Sequence, residues 1–189
     1  PEGLVLIAQA QSAGRGRRGH SFFSPPGGLY LSILLRPAFS TRQSPQITAL
    51  AAVAAARAAE QLCGTPIQIK WVNDLWKNGK KVCGILTEAG TDMESGQLEW
   101  LVVGIGVNVA QTAFPSDIAD TATSLALCGY EVDRDALAEA ILEELDGLRA
   151  GLERPEAWRT EYRARCVNMG KAVRVLRGGE ARQAKALDI

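Results

Sequence analysis

Apolar residues at the start of this chain come in short runs, not in long helical stripes. Leu4-Val5-Leu6-Ile7-Ala8 reads as a strand, and Gly28 to Leu35, ended by Arg36-Pro37, reads as a second. The pattern then changes. Ser44-Pro45 has the signature of a helix start, serine as N-cap and proline at the first helical position. The alanine-rich run to Cys63 has high helix propensity, and Gly64 is a natural stop. Ile67 to Trp71 alternates like a strand, Asn78-Gly79 is a hairpin turn signal, and Val82–Thr87 and Trp100–Val109 read as further strands. Asp133 caps a predicted helix with Leu137, Ile141, Leu145, Leu148 and Leu152 on one face. Pro155 opens another helix, carrying Trp158 and Tyr162. After Cys166, short valine strands and Gly178-Gly179 mark a small β module. Strands adjacent in sequence and joined by hairpins predict an α/β (α+β) fold with a mixed, largely antiparallel sheet flanked by helices.

The stretch that breaks this regular pattern is Gly14-Arg15-Gly16-Arg17-Arg18-Gly19. Three glycines free the backbone to bend, and three arginines carry planar, permanently charged forks. Such a loop can close on a phosphate, a carboxylate or a nucleic-acid backbone. The run matches G-x-G-x-x-G and nearly matches a Walker A loop. Both need a helix directly afterwards, and Phe22-Phe23-Ser24-Pro25-Pro26-Gly27-Gly28 cannot open one. A solvated basic loop is the plain alternative.

Composition sharpens the contrast. The 189 residues are 47% apolar, enough for a real core, and 21 basic residues balance 21 acidic ones. Net charge therefore gives no general attraction to nucleic acid or membrane, and the arginine cluster stands out locally. Cys63, Cys83, Cys128 and Cys166 show no C-x-x-C spacing and read as reduced thiols of a cytoplasmic protein. His20 is the sole histidine, which excludes a multi-histidine zinc site and points to chemistry by positioning and charge. No apolar run reaches membrane-spanning length. Pro1 directly before a strand and Asp188-Ile189 inside a strand-like pattern give the expectation that both ends are cut.

Two further clusters carry candidate chemistry. Lys70-Trp71-Val72-Asn73-Asp74 and Lys80-Lys81-Val82-Cys83-Gly84 put a carboxylate and lysines on two strands of one tight hairpin. Asp74 and Lys81 can converge there, lysine on a carboxylate or α-phosphate and aspartate on an amine. A solvent-exposed Lys–Asp pair is the plain alternative. Gly84 within a strand marks close approach by a ligand or a β-bulge. Gly104-Ile105-Gly106-Val107-Asn108 places two glycines on one strand face, a flat slot or a packing device, and Asn108 offers an amide for an amide or purine edge. Thr123-Ser124-Leu125 reads as the cap of a short helix.

Taken in order, GRGRRG, F-S-P-x-G-x-L-Y-L-S, K-W-x-N-D, K-V-C-G-I-L-T-E, G-I-G-V-N-V and A-T-S-L resemble the biotin protein ligases, from about Val5 to Ile189. The resemblance implies the fold shared with class II aminoacyl-tRNA synthetases and lipoate ligases over residues 1–166. A truncated SH3-like β domain would begin at 167–189. It implies ATP, Mg²⁺ and biotin as reactants, a biotinyl-5′-adenylate intermediate, and a biotin carboxyl carrier protein as partner, with a homodimer left open. By the same resemblance, Gln11 lies along biotin, and Gly14, Arg15, Gly16, Arg17, Arg18 and Gly19 form the anion-binding loop. Arg15 and Arg18 fall near the biotin carboxylate and adenylate phosphate. Phe22 stands where a tryptophan often packs on adenine, and Lys81 contacts the carboxylate and α-phosphate. Asp74 handles the acceptor lysine, Asn108 lies near adenine, and Gly84, Gly104 and Gly106 line the slot. Lys81, Asp74, Arg15 and Arg18 are thus the expected catalytic set; metal ligands are not readable. Val72 departs from the family's usual proline. The strand with the family's biotin ureido contacts is not seen, nor is a DNA-binding helix-turn-helix. A lipoate-protein ligase and a basic-loop nucleic-acid module are the rival readings.

Overall fold

Alternation of apolar and small residues shapes the sheet of this computed structural model, which describes residues 2–36, 44–92, 94, 97–149, 155–177 and 179–188. In chain order the sheet strands are β1 (Leu4–Ala8), β2 (Leu29–Leu35), β3 (Gln68–Lys70), β4 (Asp74–Lys77), β5 (Lys80–Thr91) and β6 (Leu98–Val107). They lie side by side as β1-β2-β6-β5-β4-β3. All five pairings are antiparallel, so the expected mixed character reduces to single parallel bridges, Ile69 with Cys166 and Lys81 with Ala122. The β4–β5 turn has positive φ at both Asn78 (51°) and Gly79 (77°), the twist that a two-residue hairpin requires.

One face of the sheet is the core side. Leu101, Val103, Ile105 and Val107 of β6 are buried, as are Leu31 and Ile33 of β2 and Ile85 of β5. They pack with α1 (Ser44–Cys63), whose Ala51, Ala52, Ala54, Ala55, Ala56 and Ala58 are at most 1% exposed. Alanine lets this helix come close to its neighbours, and it touches β3 to β6 as well as two further helices. Those are α2 (Arg134–Arg149) and α3 (Glu156–Arg165). Asp133 accepts the N–H groups of Asp135 and Ala136 at 3.0 and 2.7 Å, the expected cap. Gly64, with φ of 64°, ends α1. Leu137, Ile141 and Leu148 are buried and Leu145 packs against them; Leu152 and Gly178 lie outside the described residues. Strand β5 is longer than the sequence predicts, and β6 has the predicted length but starts and ends two residues earlier, so Asn108 and Val109 fall beyond its end.

The opposite sheet face carries the site. A single row of paired residues crosses it: Ala8, Tyr30, Gly106, Gly84, Asp74, Lys70. Cross-strand partners share a face, so two adjacent glycines cut a trough in mid-sheet, between a tyrosine and an aspartate. Beyond α3, β7 (Ala172–Arg177) and β8 (Glu180–Lys185) form a separate two-stranded hairpin.

Candidate active site

The glycine–arginine run folds into a hairpin of its own. Phe22 N–H donates to Gly14 O at 2.8 Å, Arg15 bridges Ser21, and Gly16 N–H donates to His20 O at 2.7 Å. The tip, Arg17–Gly19, is a single tight turn in which Arg18 has a φ of 57° and Gly19 of 78°. At Gly14 a Cβ would sit 2.4 Å from both Phe22 O and Ser24 Oγ, so glycine is required by contact and not only by flexibility. Ser24 Oγ donates to Gln11 Oε1 at 2.7 Å and fastens the base of the hairpin.

Beneath the hairpin lies a cavity of about 230 Å³. Its floor is the glycine trough. The Phe22 ring rests on it, with atoms 2.5 Å from where a Gly106 Cβ would stand and 3.0 Å from a Gly84 Cβ, and meets Tyr30 edge-on at 6.5 Å. Gly104 continues the floor without such a lid. Lys81 lies across Gly84, its ammonium 5.6 Å from the Phe22 ring centre and 2.9 Å from Asp74 Oδ1. That oxygen is buried beneath the ammonium, which it meets as an ion pair and not as a well-aligned hydrogen bond. Across the cavity, Arg15 pairs with Glu88 at 3.0 Å, and Arg17 donates to Asn73 Oδ1 at 3.1 Å. Asn73 is itself fixed by its Nδ2–H bond to Ile85 O.

Cys83, behind this pair, is no nucleophile: burial pushes its thiol far above the ordinary range. Burial likewise raises the Tyr162 phenol, which stays protonated and donates to Val72 O at 3.0 Å. The arrangement holds three cations, Arg15, Arg17 and Lys81, around one small cavity. It can draw two anions together and cancel their repulsion.

Not every expected residue lines this cavity. Gln11, Arg15, Gly16, Arg17, Phe22, Lys81, Gly84, Gly104 and Gly106 do; Gly14 and Gly19 shape the hairpin from outside the wall. Arg18, at the tip, makes no ion pair or hydrogen bond with the described residues, and the arginines that line the cavity are Arg15 and Arg17. Asn108 is buried: its Nδ2–H donates to Thr123 O at 2.9 Å, and its backbone joins Val82 to Leu125. It ties β5 to the 123–128 turn, where Ser124 Oγ caps Leu127 as expected. Glu88, Asn73, Tyr30 and Ser32 also face the cavity. Period-two spacing from Gly84 would have pointed to Glu88, and from Gly104 and Gly106 to their partners Ser32 and Tyr30.

The chain belongs to the biotin/lipoate A/B protein ligase family, whose model matches residues 1–108. It is 41% identical over 146 residues to the bifunctional ligase/repressor BirA of Bacillus subtilis, covering 75% of this chain and 44% of that protein. It is 33% identical over 193 residues to the biotin–[acetyl-CoA-carboxylase] ligase of Mycobacterium tuberculosis, covering 95% of this chain and 67% of that one. Among solved structures, the biotin protein ligase of Aquifex aeolicus in complex with biotin and ATP superposes with a TM-score of 0.82 at 30% identity, over 98% of this chain and 77% of that one. The chain spans less than half the length of the BirA proteins it matches.

Proposed function

We propose that this chain is the catalytic part of an ATP-dependent biotin protein ligase, biotin–[acetyl-CoA-carboxylase] ligase in activity. The observation that carries this reading is the convergence of Arg15, Arg17 and Lys81 on one small cavity floored by glycines. The likeness to biotin ligases along nearly the whole chain supports it. In the first step a biotin carboxylate oxygen attacks the α-phosphorus of ATP. Pyrophosphate leaves with the bridging electron pair, and biotinyl-5′-adenylate remains. The three cations hold the approaching anions together and take up charge in the transition state. In the second step a lysine amine of the carrier protein attacks the acyl carbonyl and AMP departs. Asp74, the carboxylate paired with Lys81, holds the incoming amine and accepts its proton.

Among the described residues no three His, Cys, Asp or Glu side chains converge as a metal cage. The oxygen donors on the cavity wall, Glu88 and Asn73, suit a Mg²⁺ carried mainly by water and phosphate oxygens with one or two carboxylates. Glu88 on the cavity wall is the carboxylate placed to hold it, and the ion's charge would further offset that of the phosphates. We assign residues 1–166 to the catalytic domain and 167–189 to the start of a second, SH3-like one. The partner is the biotin carboxyl carrier protein and the compartment the cytoplasm, where ATP and acceptor meet. No helix of the described residues is long and apolar enough to cross a membrane.

The test is substrate choice in the first half-reaction. Biotin with ATP and Mg²⁺ should release pyrophosphate and leave an adenylate that hydroxylamine traps. Equal turnover of lipoate would overturn the biotin assignment, and no release with either acid would overturn the ligase reading.

A further inference from the structure

The row across the site face does not stop at Asp74. Its last member is Lys70 on β3, the outermost strand, one strand spacing (~4.8 Å) farther out. Inward from Asp74 the row is filled: Gly84 and Gly106 lie under Lys81 and the Phe22 ring. Along this row, the side of Asp74 left to a large acceptor is therefore the β3 side. There the chain shows two outward groups that the cavity does not use. Lys70 is exposed, its ammonium 4.2 Å from the Trp76 ring centre, and Trp71 is 60% exposed. Large aromatic side chains at the rim of a site are frequent anchors for macromolecules.

The ledge is rigid. Trp71 N–H donates to Asn168 Oδ1 at 2.8 Å, Val167 N–H to Ile69 O at 2.8 Å, and Tyr162 holds Val72 O from behind. The edge of β3 is thus already hydrogen-bonded along these residues, which leaves a side-chain surface and not an open strand edge for pairing. Its charge is one-sided. Lys70 stands beside Asp74, and Arg15, Arg17 and Lys81 line the cavity with Glu88 as the one carboxylate among its described lining residues, in a chain of zero net charge.

We propose that Lys70 and Trp71 form the docking ledge for the carrier protein, contacting an acidic surface beside its acceptor lysine. This rests on the ligase reading above. The tryptophan contributes apolar contact, and Lys70 sets orientation and speeds encounter by attracting carboxylates.

The experiment separates the half-reactions in the intact protein supplied with biotin, ATP and Mg²⁺. Lys70→Glu and Trp71→Ala should leave the pyrophosphate burst and hydroxylamine trapping at wild-type rates. Each should raise KM for a carrier domain roughly tenfold or more, the loss expected of an interface anchor. Lys70→Arg should behave as wild type. A carrier in which a carboxylate next to the acceptor lysine is changed to lysine should recover part of the loss with Lys70→Glu. Wild-type carrier KM in both variants would overturn the proposal, as would an equal fall in burst and transfer, which marks local damage instead of docking. Absence of any burst in the wild type would bring down the ligase reading and the ledge with it.

Discussion

Lys81 and Asp74 sit 2.9 Å apart on neighbouring strands, and each limits what the other can do. While paired, Asp74 keeps the lysine over Gly84; when an anion enters, the lysine can turn to it and leave the carboxylate to an amine. Lys81→Ala should therefore slow pyrophosphate release by about 10²–10³, the usual loss for one preorganised charge at a reacting centre. A near wild-type burst in that variant would remove Lys81 from the first step. Asp74→Asn should spare the burst and slow transfer to the carrier, because an amide accepts no proton. Equal losses in the two half-reactions would make Asp74 a structural or metal-holding residue. The glycines make a sharper case. A Cβ at Gly106 would meet the Phe22 ring at 2.5 Å, so Gly106→Val must lift the ring from the floor. Nucleotide KM should then rise while the far side of the sheet is untouched. Phe22→Trp, on the same floor, should keep activity. Unchanged nucleotide KM in Gly106→Val would show that this ring takes no part in nucleotide binding.

The arginine hairpin is an element whose residues were readable but whose closure was not. Its glycines and arginines stand out in the sequence, as do the Asn78-Gly79 turn, the helix caps and the alanine helix, because local chemistry determines each of these. Its tie-points are remote: Glu88 lies 73 residues from Arg15, and Asn73 lies 56 residues from Arg17. No local rule links such pairs, and the strand register that brings them together emerges only once the sheet is assembled. The surroundings of Asn108 were out of reach for a similar reason: its Nδ2–H donates to Thr123 O, a buried link to the turn at 123–128 that no local rule gives. Both ties are single hydrogen bonds between exposed side chains, the kind worth about 0–1 kcal/mol. Fixing the hairpin's six glycine–arginine residues costs on the order of 6–12 kcal/mol of backbone entropy. Without ligand the hairpin should thus exchange its amides readily and be cut by trypsin after Arg17 or Arg18. Biotin, ATP and Mg²⁺ together should protect it, since bidentate arginine–anion pairs replace the weak ties. Equal cutting with and without these ligands would exclude a clamp that shields the mixed anhydride from water.

At the scale of the whole molecule the catalytic face depends on a helical layer on the other side of the sheet, and that layer is joined by charge as well as by alanine packing. Arg57 of α1 donates to Glu161 of α3 and to Glu144 of α2, and Arg165 of α3 reaches Glu161 and, back on α1, Glu60. The same α3 holds the β3–β4 turn through Tyr162, so its docking sets the position of Asp74 from behind. Burial alone would raise the Glu161 carboxyl, but the hydrogen bonds from Arg57 and Arg165 outweigh it and hold the group below the ordinary glutamate value of 4.5. A carboxylate with a depressed value in the folded state binds fewer protons there than in the unfolded chain. Its contribution is therefore complete at pH above 4.5 and is lost as pH falls through the depressed value. Glu161→Gln removes the charge, keeps the shape, and leaves two guanidinium groups short of an acceptor. It should cost about 1–2 kcal/mol at neutral pH, toward the low end because these side chains remain partly exposed. For a chain of this size that lowers the melting temperature by roughly 2–8 °C. The gap between variant and wild type should shrink as the melts are repeated at progressively more acidic pH, since the wild type then loses the same interaction by protonation. A gap that stays constant from neutral to strongly acidic pH would show that the Glu161 charge contributes nothing, and that alanine packing alone docks α3 behind the site.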